Sequence, residues 1–202
     1  QWPWQILNDA TGGVQPEDYV IFYGRPKSFK SWVLAFLIAC MFEQDKKAII
    51  YTKEMTPENI FMRVAACVAQ IDYAGLRMGK LSKDHRESLY LLRRMMQALR
   101  SYDGLICLSG RDAPAGGDTV PWLRSKVDHY HPDFVFIDGL YLMSDSKGAK
   151  KREERISNIS RDLRQLGLDT HVPVIATLQA NRKAAAHEEA NLDELAYSDA
   201  IS

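Results

Sequence analysis

The sequence predicts an α/β fold in which helices cover both faces of a mainly parallel β-sheet. From Tyr19 onward, short apolar runs rich in β-branched and aromatic residues alternate with longer stretches of helical periodicity. The first apolar run leads through a glycine-containing loop directly into an apolar helix. The run at 134–138 closes on an aspartate, and strands of open α/β sheets present their ligand-binding groups at that end. Together these observations predict a single nucleotide-binding domain.

Composition and charge fit one globular domain. The chain has 202 residues, 46% of them hydrophobic and 26% charged, which excludes collagen-like, disordered and disulfide-scaffold classes. A domain of this length buries roughly 70% of its unfolded surface without disulfides or a structural metal. Lys plus Arg and Asp plus Glu both number 26, so no overall field attracts nucleic acid or an anionic membrane. Any site for a polyanion must therefore be local.

Cysteine spacing and hydropathy bear on the compartment. Cys40, Cys67 and Cys107 lie far apart in apolar surroundings, without a Cys-x-x-Cys pair, which predicts reduced core thiols in a cytoplasmic protein. The most apolar run, 32–42, is about eleven residues long, whereas a membrane span needs roughly twenty. We therefore expect neither a transmembrane helix nor a signal peptide, and no membrane partner.

Periodicity predicts five strands and four helices. The predicted strands are 19–23, 48–52, 105–108, 134–138 and 174–178. The predicted helices are 30–43, 57–69, 82–101 and 155–166. Thr56 is the expected N-cap of the second helix, with Pro57 at its first position, and Gly167 is the expected stop of the last helix. The turn-forming stretches 110–117 and 144–154 are predicted loops.

The loop after the first strand has the pattern of a phosphate-binding loop. The predicted cofactor-binding residues are Gly24, Arg25, Pro26, Lys27, Ser28, Phe29, Lys30 and Ser31. Backbone N–H groups at the start of the following helix would face the anion, Lys30 would reach the terminal phosphates, and Ser31 would ligate Mg²⁺. ATP and Mg²⁺ are therefore the predicted cofactors. The alternative is a surface loop whose Ser28 caps the helix.

Phe29 departs from the usual pattern, which has a second glycine just before the lysine. We expect its side chain to crowd the loop or the nucleotide.

Polar residues end three further strands at the same predicted edge of the sheet. Asp138 is predicted to support Mg²⁺ through water, and the alternative is a strand-end aspartate that caps the next turn. Glu54 follows the second strand and is predicted to polarise the attacking water as a general base. Taken alone, a glutamate at this position is more often a solvated loop residue. Gln179 ends the fifth strand, where it would hydrogen-bond the γ-phosphate or the water. Lys30, Glu54 and Gln179 are the predicted catalytic residues.

In this order, these segments resemble the RecA-like motor domain of the DnaB family of hexameric replicative DNA helicases. The resemblance runs through nearly the whole chain. It is carried by the lead-in 8–18, the loop starting Gly24-Arg25-Pro26, Thr52-Lys53-Glu54-Met55, Met62-Arg63, Arg77-Met78-Gly79-Lys80-Leu81, the Walker B segment 137–143, the helix 156–166, and 172–182.

The resemblance implies a RecA-like P-loop NTPase core over 1–202, with 1–18 as lead-in. It implies an ATP hydrolase in which Lys30 and Ser31 bind phosphates and Mg²⁺, Asp138 supports the metal, Glu54 is the base and Gln179 senses the γ-phosphate. It further implies a ring of six subunits with ATP at the interfaces, single-stranded DNA in the centre, and a primase or helicase loader as partner.

The resemblance also bears on the source and extent of the chain. The last residues fall inside the family's next motif, so we expect a core fragment of a larger helicase, or a disordered C-terminus, with the last strands and the arginine finger beyond it. The divergence of the sequence favours a phage replication system in a bacterial cytoplasm.

In such rings, the loops after the Walker B and sensor strands face the DNA channel. Here these loops are about 145–152 and 182–190. The predicted DNA-binding residues are Lys147, Lys150, Lys151, Arg152, Arg182 and Lys183. The alternative is that 150–155 is the solvated start of a helix, pairing with Glu153 and Glu154.

A second departure stands after the Walker B aspartate, where Gly139-Leu140-Tyr141 replaces the family's usual Tyr-Leu-Gln. We expect this change to alter packing and to remove no catalytic group.

Two alternative functions remain open. One is a related ATPase that is not a helicase, such as a RecA-like recombinase, a plasmid RepA-type ATPase or a KaiC-like regulator. The other is a nucleotide-binding scaffold or loader in which Phe29 weakens hydrolysis.

Overall fold

A computed structural model of the chain describes residues 1–80, 90, 93 and 104–180. The strands are β1 Tyr19–Gly24, β2 Ala48–Thr52, β3 Leu105–Ser109, β4 Phe134–Asp138 and β5 Val174–Gln179. The helices are α1 Gln5–Thr11, α2 Lys30–Phe42, α3 Pro57–Ala69, α4 Tyr73–Arg77, α5 Val120–Tyr130 and α6 Arg152–Thr170. A short 3₁₀ turn, Leu140–Leu142, follows β4.

The strands form one parallel sheet in the order β1-β5-β4-β2-β3. Because all five run in the same direction, their carboxyl ends lie along one edge. The register pairs Gly24 with Gln179 and Thr52 with Asp138. The predicted α/β class and the mainly parallel sheet are confirmed, and the three strands that lead to the predicted polar residues Glu54, Asp138 and Gln179 end at the same edge.

Both faces of the sheet are buried, which explains why the strands read as continuous apolar runs. Ile50 and Phe136 face the layer that contains α2 and α3, where Leu34 and Val64 contribute to the core. The alternate residues face α5 and α6 on the opposite side. They include Ile49 and Ile137, which share a core with Leu123 and Leu163. Helices therefore lie on both faces, as predicted.

The first residues pack onto the same core. Trp2 is buried, and its ring meets Phe22 of β1 edge-on, with 6.3 Å between centroids. The Asn8 side chain accepts from the Trp2 backbone N–H at 2.7 Å and donates to the Trp2 carbonyl at 2.8 Å. Helix α1 was not predicted, because its seven residues are too few for a clear helical period.

All five strand predictions are confirmed to within one residue, and α3 begins as predicted. The Thr56 hydroxyl accepts a hydrogen bond from the Asn59 backbone N–H, with Pro57 in the first turn. Helix α5 starts the same way, with Thr119 capping Trp122 and a proline in the first turn, yet this signal was missed. The short helix α4 was also missed. The prediction of a helix over 82–101 lies outside the described residues, apart from 90 and 93.

The last described helix differs from its prediction at both ends. Helix α6 begins at Arg152, so the predicted loop 144–154 is three residues too long. Gly167 does not end the helix but lies buried within it. A Cβ at Gly167 would stand 3.3 Å from the Val172 carbonyl oxygen, so glycine allows the chain to return closely past the helix. His171, with φ of 54°, is the left-handed residue that ends α6.

The three cysteines are free, partly buried thiols, and Cys67 and Cys107 pack against the core. Burial, reinforced by the nearby charge of Asp112, raises the pKa of Cys107 to about 12. Within the described part of the chain, no helix has the length and apolarity that a membrane crossing requires.

Candidate nucleotide site

The candidate site lies where β1, β5, β4 and β2 end. Strand β1 leads into the loop Gly24–Ser31, β4 ends at Asp138, and β5 ends at Gln179. Glu54 follows β2. These four strands are direct neighbours in the sheet, so the predicted catalytic and metal-supporting residues all lie at one edge.

Gly24 allows the loop to close tightly at the end of β1. A Cβ on Gly24 would lie 2.7 Å from Ser28 Oγ, so any other residue here would require the Ser28 side chain to shift. The Gly24 carbonyl also accepts from the Ala180 N–H at 3.0 Å, which ties the start of the loop to the end of β5. Within the described residues no side chain caps the start of α2, so the capping role that the surface-loop alternative gave to Ser28 is wrong.

The Phe29 backbone has a positive φ of 60°, which explains why glycine is usual at this position. Its carbonyl accepts the first helical hydrogen bonds, from Trp32 at 2.8 Å and Val33 at 3.0 Å. The side chain is 72% exposed, so the expectation that it crowds the loop is wrong. A non-glycine residue in this conformation costs about 1 kcal/mol. The replacement of glycine by Phe29 therefore affects the backbone conformation of the loop.

Lys30 folds back across the loop. Its ammonium donates to the carbonyls of Gly24 at 2.9 Å and Arg25 at 2.8 Å. Partial desolvation lowers the pKa of Lys30, and the carboxylates of Glu54 and Asp138 oppose this shift. The positive charge thus stands between the loop and the two acidic side chains.

Asp138 is fully buried at the end of β4. Its Oδ1 accepts from Ser31 Oγ at 2.9 Å and from Thr177 Oγ1 at 3.2 Å. Its Oδ2 is buried and has no hydrogen-bond partner among residues 1–80 and 104–180. Burial raises the pKa of Asp138, opposed by the hydrogen bond from Ser31 and reinforced by the charge of Glu54. The alternative of a simple turn-capping aspartate does not account for the unpartnered oxygen.

This donor set fits Mg²⁺ held together with a nucleotide. The buried Oδ2 of Asp138 and the hydroxyl of Ser31 offer two oxygen ligands, direct or through water, and phosphates and water would supply the remainder. Across residues 1–80 and 104–180, no cluster of three or more His, Cys, Asp or Glu residues is placed to bind a metal by itself. An ion here would therefore depend on bound phosphate.

A turn after β2 places Glu54. Thr52 Oγ1 bridges the backbone N–H and carbonyl of Met55, each at 3.3 Å. Lys53 extends the other way, donating to Asp118 Oδ2 at 2.8 Å and to the Leu142 carbonyl at 3.1 Å. With its neighbour anchored in this manner, Glu54 projects at the exposed side of the sheet edge.

Tyr141 joins two of the predicted catalytic residues, and sequence reasoning missed it. Its hydroxyl donates a hydrogen bond to Glu54 and lies 3.1 Å from Gln179 Oε1. Gly139, with φ of 85°, turns the chain after Asp138 so that the 3₁₀ turn brings Tyr141 back over the sheet edge. The departure at 139–141 thus adds side-chain contacts to this edge, beyond the change in packing that we expect from the sequence. The signal available was a polar aromatic residue three positions after the Walker B aspartate.

The basic residues after β4 lie beside this edge. Lys147 is paired with Asp162 at 2.7 Å, and Asp145 closes the segment by accepting from the backbone N–H of Lys147 and Ala149. Lys150 and Lys151 are exposed and, within the described part of the chain, form no ion pair.

Arg152 opens α6, and its guanidinium carbon stands 5.8 Å from the Tyr141 ring centroid. The alternative in which 150–155 starts a helix is thus right for Arg152 onward, with Glu153 and Glu154 in the first turn. The predicted DNA contacts Arg182 and Lys183 lie outside the described residues.

Comparison with known proteins decides the family. A family model described as "DnaB-like helicase C terminal domain" matches residues 3–202. The chain belongs to this family. The resemblance inferred from the sequence motifs is therefore confirmed.

Relatives of this DnaB-like domain are themselves named replicative helicases. The chain is 28% identical over 176 residues to the replicative DNA helicase DnaB of Helicobacter pylori strain ATCC 700392 / 26695, covering 87% of this chain and 35% of the relative. It is also 28% identical over 186 residues to the same-named protein of Buchnera aphidicola subsp. Schizaphis graminum, covering 89% of this chain and 38% of the relative. The DnaB-like domain thus spans little more than a third of these relatives.

Two solved structures share the fold of this DnaB-like domain. One, described as an ATPase domain, superposes with a TM-score of 0.79 and 21% identity, covering 96% of this chain and 69% of that chain. The other, a DnaB-like replicative helicase solved in a study of its interactions with primase, superposes with the same TM-score and identity, covering 96% and 48%. The fold is therefore that of the ATPase domain of DnaB-like helicases.

Proposed function

We propose that this domain is the ATP-hydrolysing motor of a replicative DNA helicase. The observation that carries the proposal is the contact between the phosphate loop and the Walker B strand. Ser31 donates to Oδ1 of the buried Asp138, and Oδ2 has no partner among the residues that the structure describes. A buried carboxylate oxygen without a partner is costly unless a ligand uses it. Mg²⁺ bound with ATP is the ligand that the loop and the carboxylate share.

The roles of the side chains follow from their positions. Lys30 would exchange its loop carbonyl contacts for the terminal phosphates, and Ser31 with Asp138 would hold Mg²⁺, which neutralises phosphate charge when bound. Glu54 would accept the proton of the attacking water, and Gln179 would hydrogen-bond the γ-phosphate. The backbone N–H groups of 24–31 would surround the phosphates.

At the level of the whole protein, we propose a ring of six subunits with ATP at the interfaces and single-stranded DNA in the centre. Lys147, Lys150, Lys151 and Arg152, with Arg182 and Lys183, would contact the DNA backbone. The names of the relatives support replicative unwinding, and the study of a structural neighbour with primase supports a primase partner. We propose that this motor works in the cytoplasm. If a phage encodes it, that cytoplasm is the one of the bacterial host.

Steady-state ATP hydrolysis by the intact protein tests the proposal, measured with Mg²⁺ in the presence and absence of oligo-dT. We expect DNA to stimulate turnover. Lys30→Ala should abolish nucleotide binding, Glu54→Gln should retain binding without turnover, and Lys46→Ala, at the opposite edge of the sheet, should behave like the unchanged protein. Equal nucleotide affinity in Lys30→Ala and the unchanged protein would refute the site.

Strand displacement separates the helicase from related ATPases of the same fold. Displacement of an oligonucleotide from a forked duplex by the intact protein, dependent on ATP, would support the helicase. Turnover without displacement would favour a recombinase-like or regulatory ATPase. Nucleotide binding without turnover would favour a scaffold or loader.

A further inference from the structure

We infer that Tyr141 is a positioning residue for ATP hydrolysis, whose hydroxyl holds the Glu54 carboxylate beside Gln179. This inference rests on the proposed function and adds to it a residue outside the predicted catalytic set. The geometry involves the ends of three neighbouring strands. Tyr141 follows β4, Glu54 follows β2, and Gln179 ends β5.

Glu54 needs an anchor because it is exposed on a turn. Its carboxylate accepts a hydrogen bond from the Tyr141 hydroxyl, and within residues 1–80 and 104–180 no other hydrogen bond or ion pair holds it. A free glutamate samples several rotamers, so most of its orientations would miss the attacking water. One fixed oxygen restricts the carboxylate, and the second oxygen stays available to the water.

The Tyr141 side chain is itself held on several sides. Its ring packs partly against the core cluster beneath α5 and α6, and the guanidinium of Arg152 stands over its face. Gly139 suits this arrangement, since its φ is 85° and a Cβ there would stand 3.2 Å from Leu142 Cδ1. Burial and the neighbouring Glu54 raise the pKa of Tyr141, so the hydroxyl keeps its proton at neutral pH and remains a donor.

The same hydroxyl lies 3.1 Å from Gln179 Oε1. A side chain that contacts both the general base and the phosphate-sensing amide sets the distance between them. Reorientation of Gln179 toward a γ-phosphate would change the contacts of the Tyr141 oxygen and therefore the position of Glu54. Tyr141 acts through Glu54 in this arrangement, and it does not touch the reacting atoms.

The test is a mutant cycle on kcat and KM for ATP in the intact protein with oligo-dT. Tyr141→Phe should lower kcat about 10-fold while KM stays within about 2-fold, because positioning of a base matters after ATP is bound. Tyr141→Gln, which restores a hydrogen-bond donor and is the family's usual residue here, should recover much of the loss. Tyr19→Phe removes a hydroxyl that meets Ser160 at 3.0 Å, away from the site, and should leave turnover unchanged.

The background variant Glu54→Ala makes the cycle decisive. If Tyr141 acts through Glu54, adding Tyr141→Phe to Glu54→Ala should leave its residual turnover unchanged. Unchanged kcat in Tyr141→Phe, or an equal loss in both backgrounds, would overturn the positioning role while the proposed function stands. Absence of turnover in the unchanged protein would instead overturn the proposed function, and this inference with it.

Discussion

The Ser31 hydroxyl donates a hydrogen bond of 2.9 Å to Asp138 Oδ1, although 107 residues separate the two in sequence. This contact joins the phosphate loop directly to the Walker B strand. The other oxygen of the same carboxylate is buried and, within the described part of the chain, has no hydrogen-bond partner, which costs free energy unless a ligand uses it.

Asp138→Asn should stabilise the fold and abolish turnover. The pKa of Asp138 is raised by burial, so the folded protein favours the protonated form and the charged form costs stability at neutral pH. Replacing the carboxylate by a neutral amide should raise the free energy of unfolding by about 1 kcal/mol. ATP hydrolysis should fall by about 100-fold or more, because Mg²⁺ loses its carboxylate. Urea unfolding and steady-state hydrolysis measure the two effects.

The sign of the pH dependence provides a check on Asp138. Because the folded pKa lies above the unfolded value, the cost of the charged form disappears as pH falls through the folded pKa. The stability advantage of Asp138→Asn should therefore shrink under acid conditions. Asp133→Asn, which removes an exposed carboxylate paired with Lys46, should give no stabilisation at any pH. A destabilised Asp138→Asn protein at pH 7 would contradict the argument.

Phe29→Gly should stabilise the phosphate loop. Phe29 has a φ of 60° and an exposed side chain, so glycine relieves the backbone without removing a packed ring. The gain should be about 0.5 kcal/mol, the difference between the left-handed cost of a side chain and the entropy of an added glycine. Thermal melting measures it, with Phe36→Gly as a control that must destabilise α2. Faster ATP turnover in Phe29→Gly would show that the strained loop limits hydrolysis, and a lower melting temperature would refute the account.

The sheet could be predicted closely because its strands are buried on both faces. Runs such as Ala48–Thr52 are buried throughout and mostly apolar, and they end at the edge where the candidate site lies. The motif residues Lys30, Glu54, Asp138 and Gln179 could likewise be placed at that edge from the parallel order alone.

What could not be predicted depends on contacts between distant segments. Tyr141 faces Glu54 and Gln179 only because a positive φ at Gly139 turns the chain, and a side chain's direction after a turn is not visible in periodicity. The prediction that Gly167 ends the helix is wrong, because glycine is present there for another reason. The Val172 carbonyl approaches the helix closely at this position. Helices α1 and α4 contain too few residues to show a helical period in the sequence.

Asp118→Asn should destabilise the protein most strongly near neutral pH. Burial alone would raise the pKa of Asp118, but hydrogen bonds from Lys53, Ser144 and Tyr51 lower it below its usual range. The carboxylate therefore contributes stability that is fully present above about pH 4, and that is lost as pH falls through the lowered folded pKa. Breaking this buried cluster should cost about 3 kcal/mol at pH 7.

Chemical unfolding of Asp118→Asn and the unchanged protein from pH 7 to pH 3 measures this contribution. The difference in unfolding free energy should be largest at pH 7 and should narrow below pH 4. Asp9→Asn, an exposed position on α1 whose carboxylate accepts a hydrogen bond from Gln5, is the control and should show little effect at any pH. A gap between Asp118→Asn and the unchanged protein that does not narrow in acid would contradict the charge-based explanation.

Removing the positive charges of Lys150 and Lys151 should weaken binding to single-stranded DNA. Both side chains are exposed and unpaired within the described part of the chain, whereas Lys147 is occupied by Asp162. The affinity of single strands depends on salt with a slope of about −0.7 for each phosphate neutralised. Loss of two contacts should therefore reduce the slope by about 1.4. Fluorescence anisotropy with labelled oligo-dT at several salt concentrations measures both affinity and slope.

The double change Lys46→Ala and Lys47→Ala is the matched control. It also removes two adjacent positive charges, but at the opposite edge of the sheet, where Lys46 pairs with Asp133. A net-charge effect would lower DNA affinity equally in both double variants, and that outcome would exclude a local DNA surface at the start of α6. A loss confined to Lys150→Ala with Lys151→Ala would place the DNA beside the Tyr141 edge, since Arg152 follows directly and covers that ring.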